Sequence, residues 1–325
     1  VEKVLSALLE RAVPDAKGGE AAAFAEAKGG LVFPQWLGEL AWTLRQQERD
    51  TLPREVAGEL AASSEDASAA SRLPVLLEAG VLCPAEDRKG IRFLHPLLAD
   101  YFVAQTLEAR MVRGEIGPDA FVVLPGWPGA WAGAMELLCA TWPDAGNLLR
   151  TILHRDDQEE TLELVARCLR SMQEEPNGSY VPANLLGDSV PAGTLYRLAR
   201  MLDGRGVRKA ARLFLEDALR QVDAGGASDT ATLFLSGAGA SPAAQPTPGS
   251  IAWAVDRAAI LQSLGRLEEA LEQLQTARAG VQGLYGALCH QMGLVQQKRQ
   301  RPDEALEAFR QAMEWGTTPA ESLCR

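Results

Sequence analysis

Phe121 to Met135 comes closest to an uninterrupted apolar run, and it is broken by Pro125, Gly126, Pro128 and Gly129. A membrane-spanning helix needs about 18 or more such residues, so no span is expected. Positive charge is also in short supply. There are 32 Lys and Arg against 43 Asp and Glu, a net charge of −11 and a pI near 5.0, so the overall field repels nucleic-acid backbones and anionic lipid. One basic cluster stands out, Arg197, Arg200, Arg205, Arg208, Lys209 and Arg212, but Asp203, Glu216 and Asp217 dilute it. It reads as a solvated helical face. Nucleic acid and membrane are therefore not expected partners.

Cysteine is scarce and scattered. Cys83, Cys139, Cys168, Cys289 and Cys324 form no C-x-x-C pair and no zinc spacing, and the first four sit in apolar or helical patterns that suit buried thiols. The chain opens on Val1-Glu-Lys and not on a signal peptide, so a reducing, cytoplasmic setting is the expectation. Phosphate-loop and nucleophile-elbow spacings are missing too. The two Gly-Gly breaks, Ala16 to Gly19 and Ala27 to Gly30, lack the Lys-Ser/Thr that a phosphate cradle needs and read as helix stops. His154 with Asp156, Asp157, Glu159 and Glu160 lies at a loop-to-helix start, where acids favour the helix dipole. Cys289 and His290 are neighbours on one helix and point about 100° apart, too divergent for a thiolate-imidazole pair. No catalytic residue and no metal site is expected, and the chain is read as not an enzyme.

What the sequence does have is helix. At 325 residues, with 47% hydrophobic side chains, it can build two or three folded cores. Apolar residues recur three and four apart in Val4 to Leu9, Trp36 to Leu44 and Val56 to Leu60, and Thr51-Leu-Pro-Arg-Glu55 looks like an N-cap with Pro in the first turn. Leu73 to Gly80 reads as a helix closed by glycine, followed by a strand at Val81 to Cys83. Asp87 to Gly90 is then a charged turn, and Ile91 and Phe93 alternate with Arg92 as in a second strand. His95 comes next, with Pro96 suited to a first helical turn and Leu97, Leu98, Tyr101, Phe102 and Gln105 at helical spacing. His95 thus sits at the positive end of a helix dipole.

Helix, strand, turn, strand, helix is winged-helix order. The phrases "LLEAGVL" and "RFLHPLLADYFVAQTL" resemble the winged-helix region of NACHT-type STAND NTPases, in which a histidine contacts the phosphates of bound ADP and holds the molecule closed. That role carries over to His95 alone, framed by Phe93, Tyr101, Phe102 and Ala104. Leu37 to Leu60 looks like the end of the helical domain that precedes the winged helix in that family. Trp131 to Met172 resembles the helical repeats that follow it. On this reading the chain is the later part of a longer protein, which an opening Val in place of Met fits. The resemblance implies an upstream nucleotide-binding domain that holds ADP or ATP with Mg, and homo-oligomerisation on activation, with no cofactor held by this chain itself.

Internal similarity is clearest near the end. Gly265 to Ala277 lines up with Gln300 to Ala312 at an offset of 35 residues (Ala270 to Ala305), one more than the usual tetratricopeptide period. Ala258 and Gly293 sit at the preceding small position of each copy. A third, weaker copy runs through Leu195, Ala199, Gly206, Ala211, Leu215 and Ala218, and is separated from the clear pair by a Gly-, Ala-, Ser- and Pro-rich stretch in which Ser241 to Pro248 reads as a flexible loop. Tetratricopeptide arrays bind protein or peptide on their first helices, and the repeat pattern puts Tyr196 and Arg200, then His290, Leu294, Gln297 and Lys298, on that face.

The expected fold is mainly α, a winged-helix domain with a small β-hairpin followed by an α-solenoid. Its parts are a helical domain at 1–65, a winged helix at 66–112, a helical-repeat segment at 113–185, a tetratricopeptide-like repeat with its loop at 186–250, and two such repeats at 251–325. The expected function is the regulatory and sensor portion of a STAND signalling ATPase in defence or signalling. The alternative is a free-standing repeat scaffold for protein contacts, without nucleotide coupling. A DNA-binding regulator ranks last, because Leu97 to Leu107 carries Asp100 and no Lys or Arg.

Overall fold

The computed structural model describes residues 35–62, 69–78, 80–86, 89–172, 185, 190–224, 251–278 and 285–314. The helix expected at Val4 to Leu9, the two Gly-Gly breaks, Cys324 and the Ser241 to Pro248 loop lie outside these residues. Among the described residues the protein is mainly helical with one small sheet, and the chain divides into two compact units, Val1–Glu174 and Glu175–Arg325.

In the first unit, α1 (Gln35–Gln46) is followed by β1 (Leu52–Pro53), α2 (Arg54–Ala62), α3 (Ala69–Glu78), β2 (Leu82–Pro84), β3 (Gly90–Phe93) and α4 (Pro96–Val112). The sheet is antiparallel with order β1-β3-β2, pairing Leu52 with Ile91 and Leu82 with Phe93. Period-two alternation shows in β3, where Ile91 and Phe93 are buried and Arg92 is exposed. Gly80 takes a positive φ of 71° after α3, as a helix-closing glycine should. Thr51 to Glu55 departs from expectation. Leu52 and Pro53 form an edge strand on β3, where Pro needs no ladder partner, and the helix starts only at Arg54. The segment expected to belong to a separate helical domain therefore completes the sheet, and the expected boundary at 65 falls inside one packed unit.

The core of this unit gathers on α4, which packs against α1 on one side and against α5 (Ala132–Thr141) on another. Leu98, Phe102, Val103 and Leu107 of α4 are buried, as are Trp36, Leu37, Leu40 and Trp42 of α1 and Trp131, Met135 and Leu138 around α5. Trp42 meets Trp131 edge-on at 5.0 Å, and Phe93 meets Phe102 at 5.6 Å. Two further amphipathic helices, α6 (Ala145–Arg155) and α7 (Glu159–Ser171), finish the unit, with α7 packed on α5.

The second unit is built from consecutive helix pairs: α8 (Ala192–Gly204) with α9 (Arg208–Asp223), α10 (Ile251–Ser263) with α11 (Leu267–Arg278), and α12 (Tyr285–Lys298) with α13 (Pro302–Glu314). All three pairs turn the same way. The N–H of Val207, Arg266 and Arg301 returns to the carbonyl five residues earlier, and Gly206, Gly265 and Gln300 hold positive φ of 79°, 79° and 60°. The turn geometry supports the 35-residue alignment, with Gln300 standing where the other copies have glycine.

The interruption expected between the early copy and the clear pair lies in the sequence and not in the packing. Helices α9 and α10 pack directly, with Trp253 Nε1 donating to Val222 O at 2.9 Å and Arg257 Nε to Asp223 at 2.7 Å. Inside the last pair, a Cβ on Gly293 would lie 2.4 Å from the Phe309 ring, so glycine there is what lets the ring seat against α12. The preceding pair has Ala258 and Leu274 at the same two positions, both fully buried, trading a larger residue on one helix for a smaller one on the other. Gly293→Ala should cost about 1–3 kcal/mol by overpacking. Hydrogen exchange of the α12 and α13 amides should accelerate about tenfold or more, and Gly293→Ala with Phe309→Leu should recover most of the loss.

Candidate functional site

His95 occupies the N-cap of α4. Its backbone is extended (φ −136°, ψ 139°), Pro96 takes the first helical position, and Nδ1 accepts the Leu97 N–H at 3.1 Å. A nitrogen that accepts carries no proton, so the ring in this arrangement is the neutral tautomer with its hydrogen on Nε2. His95 is exposed, and so are its chain neighbours Leu94 (53%), Pro96 and Leu97 (43%), at the N-terminus of α4. Of its expected frame, Phe93, Phe102 and Ala104 are buried and Tyr101 is half-buried against Phe102 at 5.4 Å.

Two ion pairs that the sequence did not flag join α4 to α1. Arg45 at the end of α1 donates to Asp100 at 2.6 Å, and Arg110 at the far end of α4 donates to Glu39 at 2.6 Å. Arg110 also lies over Trp42, 4.4 Å from the ring centroid. A Cβ on Gly133 would overlap the Asp100 carboxylate, so this glycine leaves the acid its place against α5. Burial raises the Asp100 pKa above its ordinary 3.8, and Arg45 and then Arg167 oppose that rise. The one hint in the sequence was an Asp within the apolar stripe of α4.

The residues around His154 are structural. Asp156 accepts the Gln158 N–H at 3.1 Å, the Trp127 indole N–H at 3.2 Å and the Thr161 hydroxyl, while Glu159 and Glu160 occupy the first turn of α7. Among the described residues, no group of three or more His, Cys, Asp or Glu could hold a metal ion. Cys139, Cys168 and Cys289 are buried free thiols and Cys83 is half-buried. The hydrogen bond that the Cys168 thiol donates to Cys139, and then burial, push that thiol up, and a raised thiol is a poor nucleophile.

The six residues expected on the partner face separate into two groups. Tyr196 is only 6% exposed and lies within the helix packing, and His290 is half-buried with its ring 5.6 Å from Phe309 of its own pair. Arg200, Gln297 and Lys298 are exposed, and Leu294 is half-buried beside them. Lys298 Nζ donates to the Gln262 carbonyl at 3.3 Å, reaching from α12 to the end of α10. Of the expected basic face, Arg208, Lys209 and Arg212 are exposed, with Arg212 paired to Glu216 at 2.8 Å.

Compared with known families, with characterised proteins and with solved structures, this chain finds no match. Among the described residues, no helix is long and apolar enough to cross a membrane.

Because folding raises the Asp100 pKa, the folded state holds this proton to a higher pH than the unfolded chain does. The stability it contributes is complete below 3.8 and is lost as pH rises through the folded-state value. Asp100→Asn removes that titration. The stability of the native chain relative to this variant should therefore fall as pH is raised from below 3.8 towards neutrality in denaturant titrations, and a difference flat in pH would contradict the burial of Asp100.

Proposed function

We propose that this chain is the regulatory and sensor part of a NACHT-type STAND ATPase, in which a winged helix reads the nucleotide and paired-helix repeats read a protein or peptide trigger. The observation that carries it is the exposed N-cap histidine, whose Nδ1 accepts from its own helix, which leaves Nε2–H as the ring's free donor. The order helix, strand, helix, helix, strand, strand, helix, with a β1-β3-β2 sheet, supports reading this region as a winged helix. The three similarly turned helix pairs support reading the second unit as a tetratricopeptide-like solenoid.

On this reading, bound ADP supplies a phosphate oxyanion from an upstream nucleotide-binding domain. His95 donates Nε2–H to it, the helix dipole adds partial positive charge, and Leu94 and Leu97 cover the contact from water. A trigger on the repeats shifts the molecule only as far as it binds the open state better than the closed one. Opening permits nucleotide exchange and assembly into oligomers, for use in defence or signalling within the cytoplasm.

The test is ADP retention by the full-length protein. His95→Ala should lose both the cap and the donor, whereas His95→Asn keeps a capping oxygen. Both variants should release ADP about tenfold faster or more, the cost of one charge-assisted hydrogen bond, while the Asn variant keeps nearly native stability. Unchanged retention in the Asn variant would favour the scaffold without nucleotide coupling.

A further inference from the structure

A groove of about 390 Å³ lies between the end of α11 and α13, over α12, a volume in the range of ligand sites. Met292 and Gln296 of α12 and Ala308 of α13 line it, each only 8% exposed. Met292 and Gln296 stand about 160° around α12 from Leu294, so the groove lies on the other side of that helix from the expected partner face. The Gln296 amide is half used: its oxygen accepts from Arg299 at 3.1 Å, while its Nε2, among the described residues, donates to nothing. A buried N–H without an acceptor is costly, and an oxygen arriving in the groove relieves that cost. On α13, Asp303, Glu304 and Glu307 line the groove against one cation, Arg278, for a net charge of −2. Arg301 pairs with Glu304 at 2.9 Å and Gln311 donates to Glu307 at 2.9 Å, but among the described residues neither Asp303 nor Glu307 has a salt bridge. Both are exposed and stand four residues apart, so two like charges share one face of the helix and repel each other.

We propose that this groove docks a basic segment of a partner protein, with one Lys or Arg residue seated in it. The aliphatic stem of that residue covers Met292 and Ala308, its cation reaches the rim at Asp303 and Glu307, and its backbone carbonyl accepts from the Gln296 amide. A basic residue of a peptide chain brings the oxygen and the cation together, whereas a metal ion or a polyamine brings charge alone. The site is distinct from the trigger-binding face of the proposed array and does not depend on it.

The test is selection of a displayed random-peptide library on the full native chain and on Asp303→Lys/Glu307→Lys, followed by NMR of the native chain labelled at its methionine methyls and glutamine amides. The native chain should enrich peptides with Lys or Arg that the reversed chain does not. Synthetic copies of those peptides should shift the Met292 methyl and the Gln296 side-chain amide. They should bind Asp303→Asn/Glu307→Gln about fivefold more weakly or worse, with circular dichroism unchanged because both side chains are on the surface. A pool without Lys or Arg peptides, equal binding to the neutral variant, or binding that leaves Met292 and Gln296 unmoved each overturns the site. A selected peptide that shifts the Gln297 amide instead binds the other face of α12, which overturns the groove and leaves the array reading standing. Spermidine that moves the Met292 and Gln296 signals as tightly as the peptides do overturns the protein partner in favour of a free polyamine.

Discussion

Helix α4 is clamped to α1 by two ion pairs at opposite ends, Arg45 with Asp100 and Glu39 with Arg110, and the rest of the first unit takes its position from that clamp. The order of the pairs means that the two helices run in opposite senses. Arg110 and Arg45 each lie in the last turn of their helix, where a positive charge suits the helix dipole. Between the pairs, Trp42 carries Arg110 on one face and meets Trp131 at its edge. Ion pairs of this depth contribute little net stability compared with the surrounding aromatic burial, but a partner lost from either one leaves a half-buried charge unpaired. Their effect is to fix which way α4 points, and so where His95 is held.

The second unit depends on a different constraint, the match of large and small residues across each helix pair. Gly293 with Phe309 and Ala258 with Leu274 fill the same space by different divisions of volume, so the pairing survives although neither residue is the same in the two copies. The contacts of Trp253 and Arg257 with the end of α9 carry the stack across the 26 residues that separate Ala224 from Ile251. Loop closure grows only slowly in cost with length, which is why such an insertion leaves the neighbouring helices in contact.

Most of the helices were legible, because apolar spacing and glycine stops are local signals. Ile91, Phe93, Pro96 and Gly80 each behaved as their chemistry dictates. Leu52 and Pro53 were not legible as a strand, because their only reason to be extended is β3, some 40 residues later. The Arg45–Asp100 pair was hidden for the same reason, its partners being 55 residues apart. Tyr196 illustrates the limit of repeat alignment, which assigns a face but not the exposure of a bulky side chain on it.

These constraints meet at one atom. The clamp sets α4, α4 sets the cap, and the cap commits His95 Nδ1 as an acceptor, which leaves the proton on Nε2 and makes the neutral ring a donor. The most direct test is an experimental structure of the full-length protein with ADP bound. On the proposed reading, His95 Nε2 lies about 3 Å from a phosphate oxygen while Nδ1 still holds the Leu97 N–H. An imidazole turned to solvent, with the nucleotide held entirely by other residues, would contradict it.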